Sequence, residues 1–220
     1  MIVRKIFETE VEWLNFRKGL FTSSRINELM AKPKDGDLSV GAISYIIDNI
    51  VDLETENQRE SFNSFEMQWG KENEAQAVLR FAKDHNKDIN SKDFIYTSIG
   101  GFVFYVNDYK SGGTPDIILL DDNKNVEIKA PNSDTHLWYK YNLTLTNFKK
   151  ECPKYYDQMQ HNMFLTGATS TIFMSFDPRF KKEYLQAFYL DIPRDEERIT
   201  EILNKIEIAH NYKLKLLNNE

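Results

Sequence analysis

Two carboxylates and a lysine stand close together near the middle of the sequence. Asp116 follows a Gly-Gly-Thr-Pro segment, ten residues separate it from Glu127, and Lys129 follows after one more residue. Both segments are rich in β-branched residues, and a polar stretch with turn-forming residues lies between them, which predicts a β-hairpin. Because side chains alternate along a strand, we expect Glu127 and Lys129 on one face and the apolar residues on the other.

These three residues have the chemistry of a magnesium site that acts on phosphate esters. Mg²⁺ takes one or two protein carboxylates and keeps its other positions for water and substrate phosphate. A neighbouring lysine can orient or deprotonate the attacking water, or offset phosphate charge. By pattern alone, a solvated hairpin with an ordinary Glu/Lys pair fits equally well. The second carboxylate at Asp116 favours the metal site.

A third carboxylate, Glu74, lies in a segment with helical spacing, at about 65–83. It shares a helix face with three apolar residues, Ala77, Val78 and Phe81. A carboxylate on an apolar face is costly unless it is paired or bound to a cation. The alternative is a glutamate at the edge of the core that reaches water.

A second helix, predicted over 155–166 and ended by Gly167, carries the run Tyr155-Tyr156-Asp157-Gln158-Met159-Gln160. Its amides alternate with core-type methionines, so an amphipathic helix without catalytic function is the simplest interpretation of this segment alone.

The remaining pattern predicts an α+β domain with a central sheet flanked by helices. Further helices are predicted at 22–30 (with Ser23 or Ser24 as the cap), 42–53 and 195–217, and a polar stretch covers 54–61. Strands are predicted at 94–99, 101–106, 116–120, 126–129, 171–176 and 184–190, the first four as consecutive members of a mostly antiparallel sheet. The length of 220 residues suits a single domain spanning 1–220.

Composition excludes several classes of protein. With 28 Lys and Arg against 34 Asp and Glu, the net charge is −6, so any DNA contact needs a local basic patch. The single cysteine, Cys152, permits no intrachain disulfide and lacks a histidine pattern for a thiol nucleophile. No apolar run reaches the length of a membrane helix, and the start lacks a secretory signal, so a cytoplasmic protein is expected.

Taken together, five blocks resemble the lambda-exonuclease-type family of phage recombination nucleases, the YqaJ-like recombinases, within the PD-(D/E)xK nuclease superfamily. The blocks are 13–24, 30–33, Trp69-Gly70-Lys71 with Glu74, Pro115-Asp116 with Glu127-Ile128-Lys129-Ala130-Pro131, and the 155–160 run with Phe176-Asp177-Pro178-Arg179 downstream. The Asp-x(10)-Glu-x-Lys pattern alone is weak, but its combination with Trp-Gly-Lys and Gln-x-Gln is specific.

The resemblance implies a restriction-endonuclease-like core and a Mg²⁺-dependent 5′→3′ exonuclease, with Mn²⁺ able to replace the magnesium. Such an enzyme degrades one strand of linear double-stranded DNA to mononucleotides and leaves a 3′ overhang for phage-type homologous recombination. The resemblance further implies a ring-shaped homotrimer, a single-strand annealing protein as partner and the cytoplasm of a bacterial host.

The resemblance also assigns roles to eight residues. They are Asp116, Glu127 and the Ile128 carbonyl as metal ligands, Lys129 as the catalytic lysine, Glu74 as a further carboxylate at the metal, Gln158 as an active-site glutamine, and Arg17 with Ser24 as receivers of the 5′-phosphate. An arginine fork and a hydroxyl at a helix start both suit a terminal phosphate. The family's Thr-Ala-Ser is Thr22-Ser23-Ser24 here, a mild departure. Without the resemblance, Arg17 would be interpreted as a surface cation.

Other interpretations stay open at this point. A restriction-type or Cas4-like nuclease shares the motif, although Cas4-like chains usually carry four iron–sulfur cysteines and this chain has one. A catalytically silent DNA-end-binding module is disfavoured by the intact carboxylates and lysine, and an α+β domain of unknown role is the simplest alternative. Arg179, Lys181 and Lys182 fit either a DNA path or a solvated loop. His161 is expected near the site, and His85, His136 and His210 are expected to be structural or at the surface.

Overall fold

The computed structural model describes residues 1–55, 65–98 and 102–219, except for the side chains of 65–67 and 71. The elements in chain order are β1 (Ile2–Phe7), α1 (Glu10–Phe16), β2 (Phe21–Thr22), a 3₁₀ helix (Ser23–Met30), α2 (Val40–Glu54), α3 (Phe65–Asp84), β3 (Phe94–Tyr96), β4 (Phe102–Asn107), β5 (Ser111–Gly113), β6 (Ile117–Leu119), β7 (Lys124–Lys129), α4 (Ser133–Asn142), α5 (Phe148–Glu151), α6 (Pro153–Thr166), β8 (Ser170–Phe176), a second 3₁₀ helix (Glu183–Leu185), β9 (Ala187–Pro193) and α7 (Glu196–Asn218).

A five-stranded mixed sheet in the order β3-β6-β7-β8-β9 forms the centre of the fold. The predicted hairpin is its middle: β6 and β7 are antiparallel, with Ile117 opposite Val126, whereas β7 and β8 are parallel. Val126 and Ile128 point into a core shared with α3. On the other face, Phe173 of β8 packs with Met159 and Met163 of α6. The predicted α+β class, with a central mixed sheet between helices, is confirmed.

A second, four-stranded sheet in the order β1-β4-β5-β2 was not expected. The segment predicted as a strand at 101–106 belongs to this sheet, because β4 pairs with β1 and β5 instead of with the hairpin. The prediction of one sheet for the first four strands was therefore wrong. Strand β1 and helix α1 were not predicted. Strand β2 leads directly into the 3₁₀ helix that carries Ser23 and Ser24.

Most predicted helices are present, with shifted ends. The segment at 22–30 is a 3₁₀ helix whose first residue follows Thr22, and neither serine caps it. Helix α6 ends at Gly167, whose φ of 79° is the left-handed conformation that favours glycine. Tyr184 belongs to the second 3₁₀ helix, so the last strand begins only at Ala187. In the predicted polar stretch at 54–61, residues 56–61 lie outside the described part.

Helix α7 closes the structure by packing on α2 and on the first 3₁₀ helix. Ile202, Ile206 and Ala209 of α7 share a buried cluster with Tyr45 and Ile46 of α2. Within the described ranges, no helix has both the length and the apolar character needed to cross a membrane.

Candidate active site

The hairpin brings Asp116 and strand β7 together through the backbone. Asp116 N–H donates to the carbonyl of Val126 at 3.1 Å. In return, the Ile128 N–H donates to Oδ2 of Asp116 at 2.5 Å. Asp116 therefore contacts Ile128, which is the residue between Glu127 and Lys129 in the sequence. This hydrogen bond involves the N–H of Ile128. The family resemblance assigns metal binding to the Ile128 carbonyl, and that assignment stays a prediction.

Glu127 is the most enclosed carboxylate of the site, with its side chain 1 % exposed. Its Oε1 accepts from Lys129 Nζ at 2.7 Å and from Gln158 Nε2 at 2.5 Å. Its Oε2 accepts from Asn162 Nδ2 at 3.3 Å. A carboxylate so far from water needs such donors, because an unpaired buried charge is very costly. Strand β7 and helix α6 thus build this part of the site together.

Lys129 lies where the strand alternation predicted, on the same face as Glu127. Its ammonium group is 5.0 Å from the centre of the Tyr155 ring and 3.4 Å from Oε1 of Gln158. Burial alone would lower the pKa of Lys129, but the carboxylates of Glu127 and Asp116 raise it above its ordinary value. Lys129 is therefore a cation at neutral pH.

The site holds more negative charge than this one lysine balances. Burial, and then the nearby carboxylates of Glu127 and Glu74, raise the pKa of Asp116 well above its ordinary value. Glu74 lies on α3 next to Tyr96, whose pKa is raised by burial and by the Glu74 carboxylate. Oε1 of Glu74 is buried and has no hydrogen-bond partner among the described residues.

These features fit a hard divalent cation. The groups present are oxygens, and their uncompensated negative charge would be stabilised by such an ion. Within the described ranges, no three or more His, Cys, Asp or Glu side chains form a preassembled metal cluster. A magnesium site does not require one, since one or two carboxylates plus water and substrate phosphate complete its coordination. Asp116, Glu127 and Glu74 are the residues that could hold the ion.

A cavity of about 390 Å³ connects this carboxylate site to Arg17 and Ser24. Its lining includes Glu74, Asp116 and Gln158. Arg17 also lines the cavity, and its guanidinium lies 4.0 Å from the Trp13 ring and 5.7 Å from the Phe104 ring. The resemblance assigned these residues to one site, and the tertiary structure places them around one space.

Among the described residues, no acidic side chain forms an ion pair with Arg17. Burial lowers its pKa, and its buried Nε has no hydrogen-bond partner among the residues described. The neighbouring Arg25 differs, because Glu28 at 2.7 Å and Asp48 at 2.8 Å neutralise it. Ser24 is exposed at the cavity, with its hydroxyl 3.4 Å from that of Thr22. Arg17 is thus the arginine at this cavity that is available to an anion.

Sequence reasoning missed Asn162 and Tyr155. Asn162 is fully buried and lies one helical turn after Gln158, so both reach Glu127 from the same face of α6. Gln158 and Asn162 are polar residues four positions apart, and this helical spacing was the signal that could have identified Asn162.

His161 belongs to a different environment from its neighbour Asn162. Its ring lies between Ser23 Oγ at 2.7 Å and Ser111 Oγ at 3.1 Å. Burial lowers the pKa of His161 to about 3, so the ring is neutral. His161 joins α6 to the second sheet. Among the described residues, it forms no contact with Asp116, Glu127 or Glu74. His136 and His85 pack similarly, against Ser175 at 2.8 Å and on the Phe81 ring at 4.2 Å.

Arg179 does not offer a free cation to DNA. Its guanidinium binds both carboxylate oxygens of Asp177 at 2.8 Å and stacks 4.3 Å from the Trp69 ring. It ties the start of α3 to the loop after β8, so we assign it a structural role. Lys182 lies 5.9 Å from the ring of Tyr184. The side chain of Lys71 lies outside the described part of the chain.

Comparison with solved structures gives close likenesses in fold. An alkaline exonuclease, LHK-Exo, from Laribacter hongkongensis is 27% identical, with a TM-score of 0.71 over 95% of this chain and 96% of that one. LHK-Exo in complex with dAMP is 27% identical, with a TM-score of 0.72 over 95% of both chains. A phage-related exonuclease from Haemophilus somnus 129PT, 17% identical, has a TM-score of 0.65 over 94% of this chain and 99% of that one, and shows the fold alone. No curated protein matches.

The sequence itself gives the family. The profile of the YqaJ-like viral recombinase domain matches residues 12–169, which is more than half of the 220-residue chain. The match contains Arg17 and Ser24 of the cavity and the carboxylate-site residues Glu74, Asp116, Glu127, Lys129 and Gln158. It confirms the resemblance carried by the five sequence blocks. The chain therefore belongs to the YqaJ-like viral recombinase domain family.

Proposed function

We propose that this protein is a Mg²⁺-dependent exonuclease that degrades one strand of linear double-stranded DNA from its 5′ end. It releases mononucleotides and leaves a 3′ single-stranded overhang for recombination. Family membership and the likeness to alkaline exonucleases support the coarser statement, that the chain is a phage-type exonuclease acting on DNA. The metal, the strand polarity and the form of the ends are the proposal's own additions.

One observation carries the proposal: a single cavity is lined both by Arg17, whose buried Nε has no hydrogen-bond partner among the described residues, and by the carboxylates Glu74 and Asp116. A terminal phosphate is more highly charged than an internal one, and an arginine fork binds it with two parallel hydrogen bonds. If Arg17 holds the 5′-phosphate, the next phosphodiester would lie in the cavity that Asp116 and Glu74 also line. This geometry favours removal of nucleotides from a 5′ end over cleavage inside a strand.

The residues of the carboxylate site have different roles in the proposed reaction. Asp116 and Glu127 would hold the metal, with Glu74 nearby, and the ion would supply Lewis acidity to the scissile phosphate and its attacking water. Lys129 is cationic, so it offsets the charge that develops on the phosphate and orients the water by hydrogen bonding. Gln158 and Asn162 keep the Glu127 carboxylate in place. The complex of LHK-Exo with dAMP agrees with a mononucleotide product.

Two end chemistries compared on three proteins test the proposal. Linear duplex carrying a 5′-phosphate should be digested faster than duplex carrying a 5′-hydroxyl. Arg17→Ala should remove most of that preference, slowing 5′-phosphate ends about ten- to a hundredfold, since one charge-assisted bidentate contact contributes about 1.5–3 kcal/mol. Arg25→Ala is the matched control, because Arg25 is already neutralised by Glu28 and Asp48.

The proposal has clear ways to be wrong. If the wild type shows no phosphate preference, or if Arg17→Ala slows both ends equally, Arg17 is a general backbone contact or a structural residue. If omission of Mg²⁺ leaves digestion unchanged, the metal assignment is wrong. If labelled 3′ ends are removed before 5′ ends, the strand polarity is reversed.

The assembly and its setting rest on the family resemblance alone. We propose a homotrimeric ring of single-domain subunits, spanning residues 1–220, that acts in the bacterial cytoplasm with a single-strand annealing protein. Light scattering measures the assembly directly. A mass near 25.9 kDa across a wide concentration range would identify a monomer and contradict the ring.

A further inference from the structure

Helix α4 turns two aromatic side chains to the outside. Trp138 is 42% exposed and Tyr141 is 69% exposed, and the spacing of three places them on one side of the helix. The opposite side is fixed, since His136 contacts Ser175 Oγ at 2.8 Å and Lys140 donates to the carbonyl of Ala187 at 3.1 Å. The helix therefore has a fixed inner side and an aromatic outer side.

The chain after α4 is equally well held. The Asn147 side chain accepts from Thr144 N–H at 2.8 Å and donates to the Asn142 carbonyl at 2.8 Å. Within this clamped turn, Leu145 is 57% exposed. Because the turn is closed by its own hydrogen bonds, Trp138, Tyr141 and Leu145 are presented on a firm support. We call these three exposed residues, with the exposed Lys150 and Lys154 that follow them in the chain, the aromatic–lysine face.

The charge of this region is opposite to that of the whole protein. Residues 135–154 contain four lysines (140, 149, 150 and 154) and one glutamate (151), a formal charge of +3, whereas the whole chain carries −6. Lys149 is engaged by Asp195 at 3.0 Å, and Lys150 lies 3.4 Å from Glu151 with its side chain still 86% exposed. Lys154 is also exposed. A local positive charge within an acidic protein points to a polyanionic partner.

The face lies on the outside of the cluster that supports Lys129. Tyr139, next to Trp138, packs 5.8 Å from the Phe173 ring, and Tyr155 packs 5.9 Å from the same ring. Tyr155 is in turn the aromatic ring nearest to the Lys129 ammonium group among the described contacts, at 5.0 Å. Tyr139, Phe173 and Tyr155 thus form a chain of ring contacts from the helix that carries Trp138 to the active-site lysine.

We propose that the aromatic–lysine face binds single-stranded DNA, by stacking bases on Trp138 and Tyr141 while Lys150 and Lys154 contact phosphates. Unpaired bases expose flat faces that any aromatic ring can stack on, whereas duplex DNA hides them, so the partner is single-stranded. The inference rests on the proposed function for the origin of that strand. The strand would be the tail produced at the neighbouring active site.

Fluorescence anisotropy with a fluorescein-labelled 20-nucleotide oligothymidylate tests the proposal. The protein is kept in EDTA so that the strand is not degraded. Trp138→Ala and Tyr141→Ala should each weaken binding roughly five- to a hundredfold, the usual effect of losing one base-stacking ring. Tyr109→Asn is the matched control: Tyr109 is 58% exposed in a turn of the other sheet, and asparagine tolerates its φ of 55°. This variant should bind as the wild type does.

A second oligomer separates stacking from charge. An abasic strand of the same length keeps the phosphates and lacks the bases, so the two alanine variants should bind it as the wild type does. Lys150→Ala with Lys154→Ala should weaken binding of both strands.

Three results decide the matter. Unchanged oligothymidylate affinity in both aromatic variants overturns the inference. A changed molecular mass of these variants by light scattering also overturns it, because the face would then be a contact between subunits. Digestion of duplex by the same preparations reports on the proposed function separately: an inactive wild type that still binds oligothymidylate through Trp138 and Tyr141 would contradict the exonuclease and leave the binding face intact.

Discussion

Lys129 Nζ lies 2.7 Å from Oε1 of Glu127, two positions away on the same strand. The pair is formed within one strand face, so it needs no movement of neighbouring elements. Glu127 also accepts from Gln158 and Asn162, and therefore it keeps two donors if the lysine is removed. The charge of Lys129 can thus be deleted while its carboxylate partner stays hydrogen-bonded.

Lys129→Ala should abolish hydrolysis with little loss of duplex binding. We expect the rate to fall about 100-fold or more, as for loss of a group that assists proton transfer or charge stabilisation in the transition state. Cleavage of 5′-labelled duplex measures the rate, and anisotropy measures binding. Lys124→Ala on the same strand is the control, since Lys124 binds Asp191 at the surface. Hydrolysis near the wild-type rate in Lys129→Ala would remove Lys129 from the mechanism.

Asp116→Asn and Glu127→Gln should each lose Mg²⁺ affinity and activity together. Each substitution removes one negative charge from a site whose three carboxylates face a single lysine. Calorimetry with Mg²⁺ and with Mn²⁺ is the measurement. Asp121→Asn, in the turn of the same hairpin and half exposed beside Lys87, should bind the ions as the wild type does. Unchanged binding by both active-site variants would show that these carboxylates have another role.

Gly113→Ala should destabilise the protein by roughly 1–3 kcal/mol, the usual cost of forcing an extra methyl group into a packed interior. The added Cβ would lie 1.8 Å from Ser23 Oγ and 2.6 Å from Asn162 Oδ1. Gly41→Ala in the first turn of α2 is the contrasting case, because the nearest atom lies 3.9 Å away. There we expect a gain of about 0.5–1 kcal/mol from the better helix former. Urea unfolding followed by circular dichroism measures both, and equal stability of the two variants would contradict the packing argument.

Asp195→Asn should destabilise the protein at pH 7 by roughly 2 kcal/mol. Burial would raise the pKa of Asp195, but hydrogen bonds from Tyr156, the Arg198 N–H and Lys149 lower it overall to about 2, from an ordinary value of 3.8. Between these values the unfolded chain binds more protons than the folded one, so stability is lost as pH falls through this window. Asparagine keeps the helix cap without the charge.

The pH dependence is the sharper part of this prediction. The difference in unfolding free energy between wild type and Asp195→Asn should shrink to about half by pH 3. Urea titrations at pH 7 and pH 3 measure it. Asp134→Asn, an exposed position at the start of α4, should change stability by no more than about 0.5 kcal/mol at either pH. A difference that stays constant with pH would mean that the charge of Asp195 does not contribute.

Local patterns were enough to predict the parts of the fold whose periodicity is strong. The β6–β7 hairpin, the face shared by Glu127 and Lys129, and the end of α6 at Gly167 all follow from alternation, helical spacing and one left-handed glycine. These features depend on residues within a few positions of each other, so tertiary contacts had little room to change them. The family resemblance added the grouping of distant blocks, which no local pattern contains.

Tertiary structure decided the rest, because it depends on contacts between residues far apart in the chain. The sequence of strand β4 has the same pattern as that of the neighbouring strands. It nevertheless pairs with β1, about a hundred residues earlier, where Val3 lies opposite Val106. In the sequence Arg179 resembles a DNA-binding cation, but in the fold its guanidinium pairs with Asp177 and stacks on the Trp69 ring. In the sequence Arg17 resembles a surface cation, but folding buries it at a cavity shared with Asp116, and no acidic residue in the described ranges pairs with it. The order of residues supplied the groups available for chemistry. The burial and pairing of those groups, which set their charge, arose only when the chain folded.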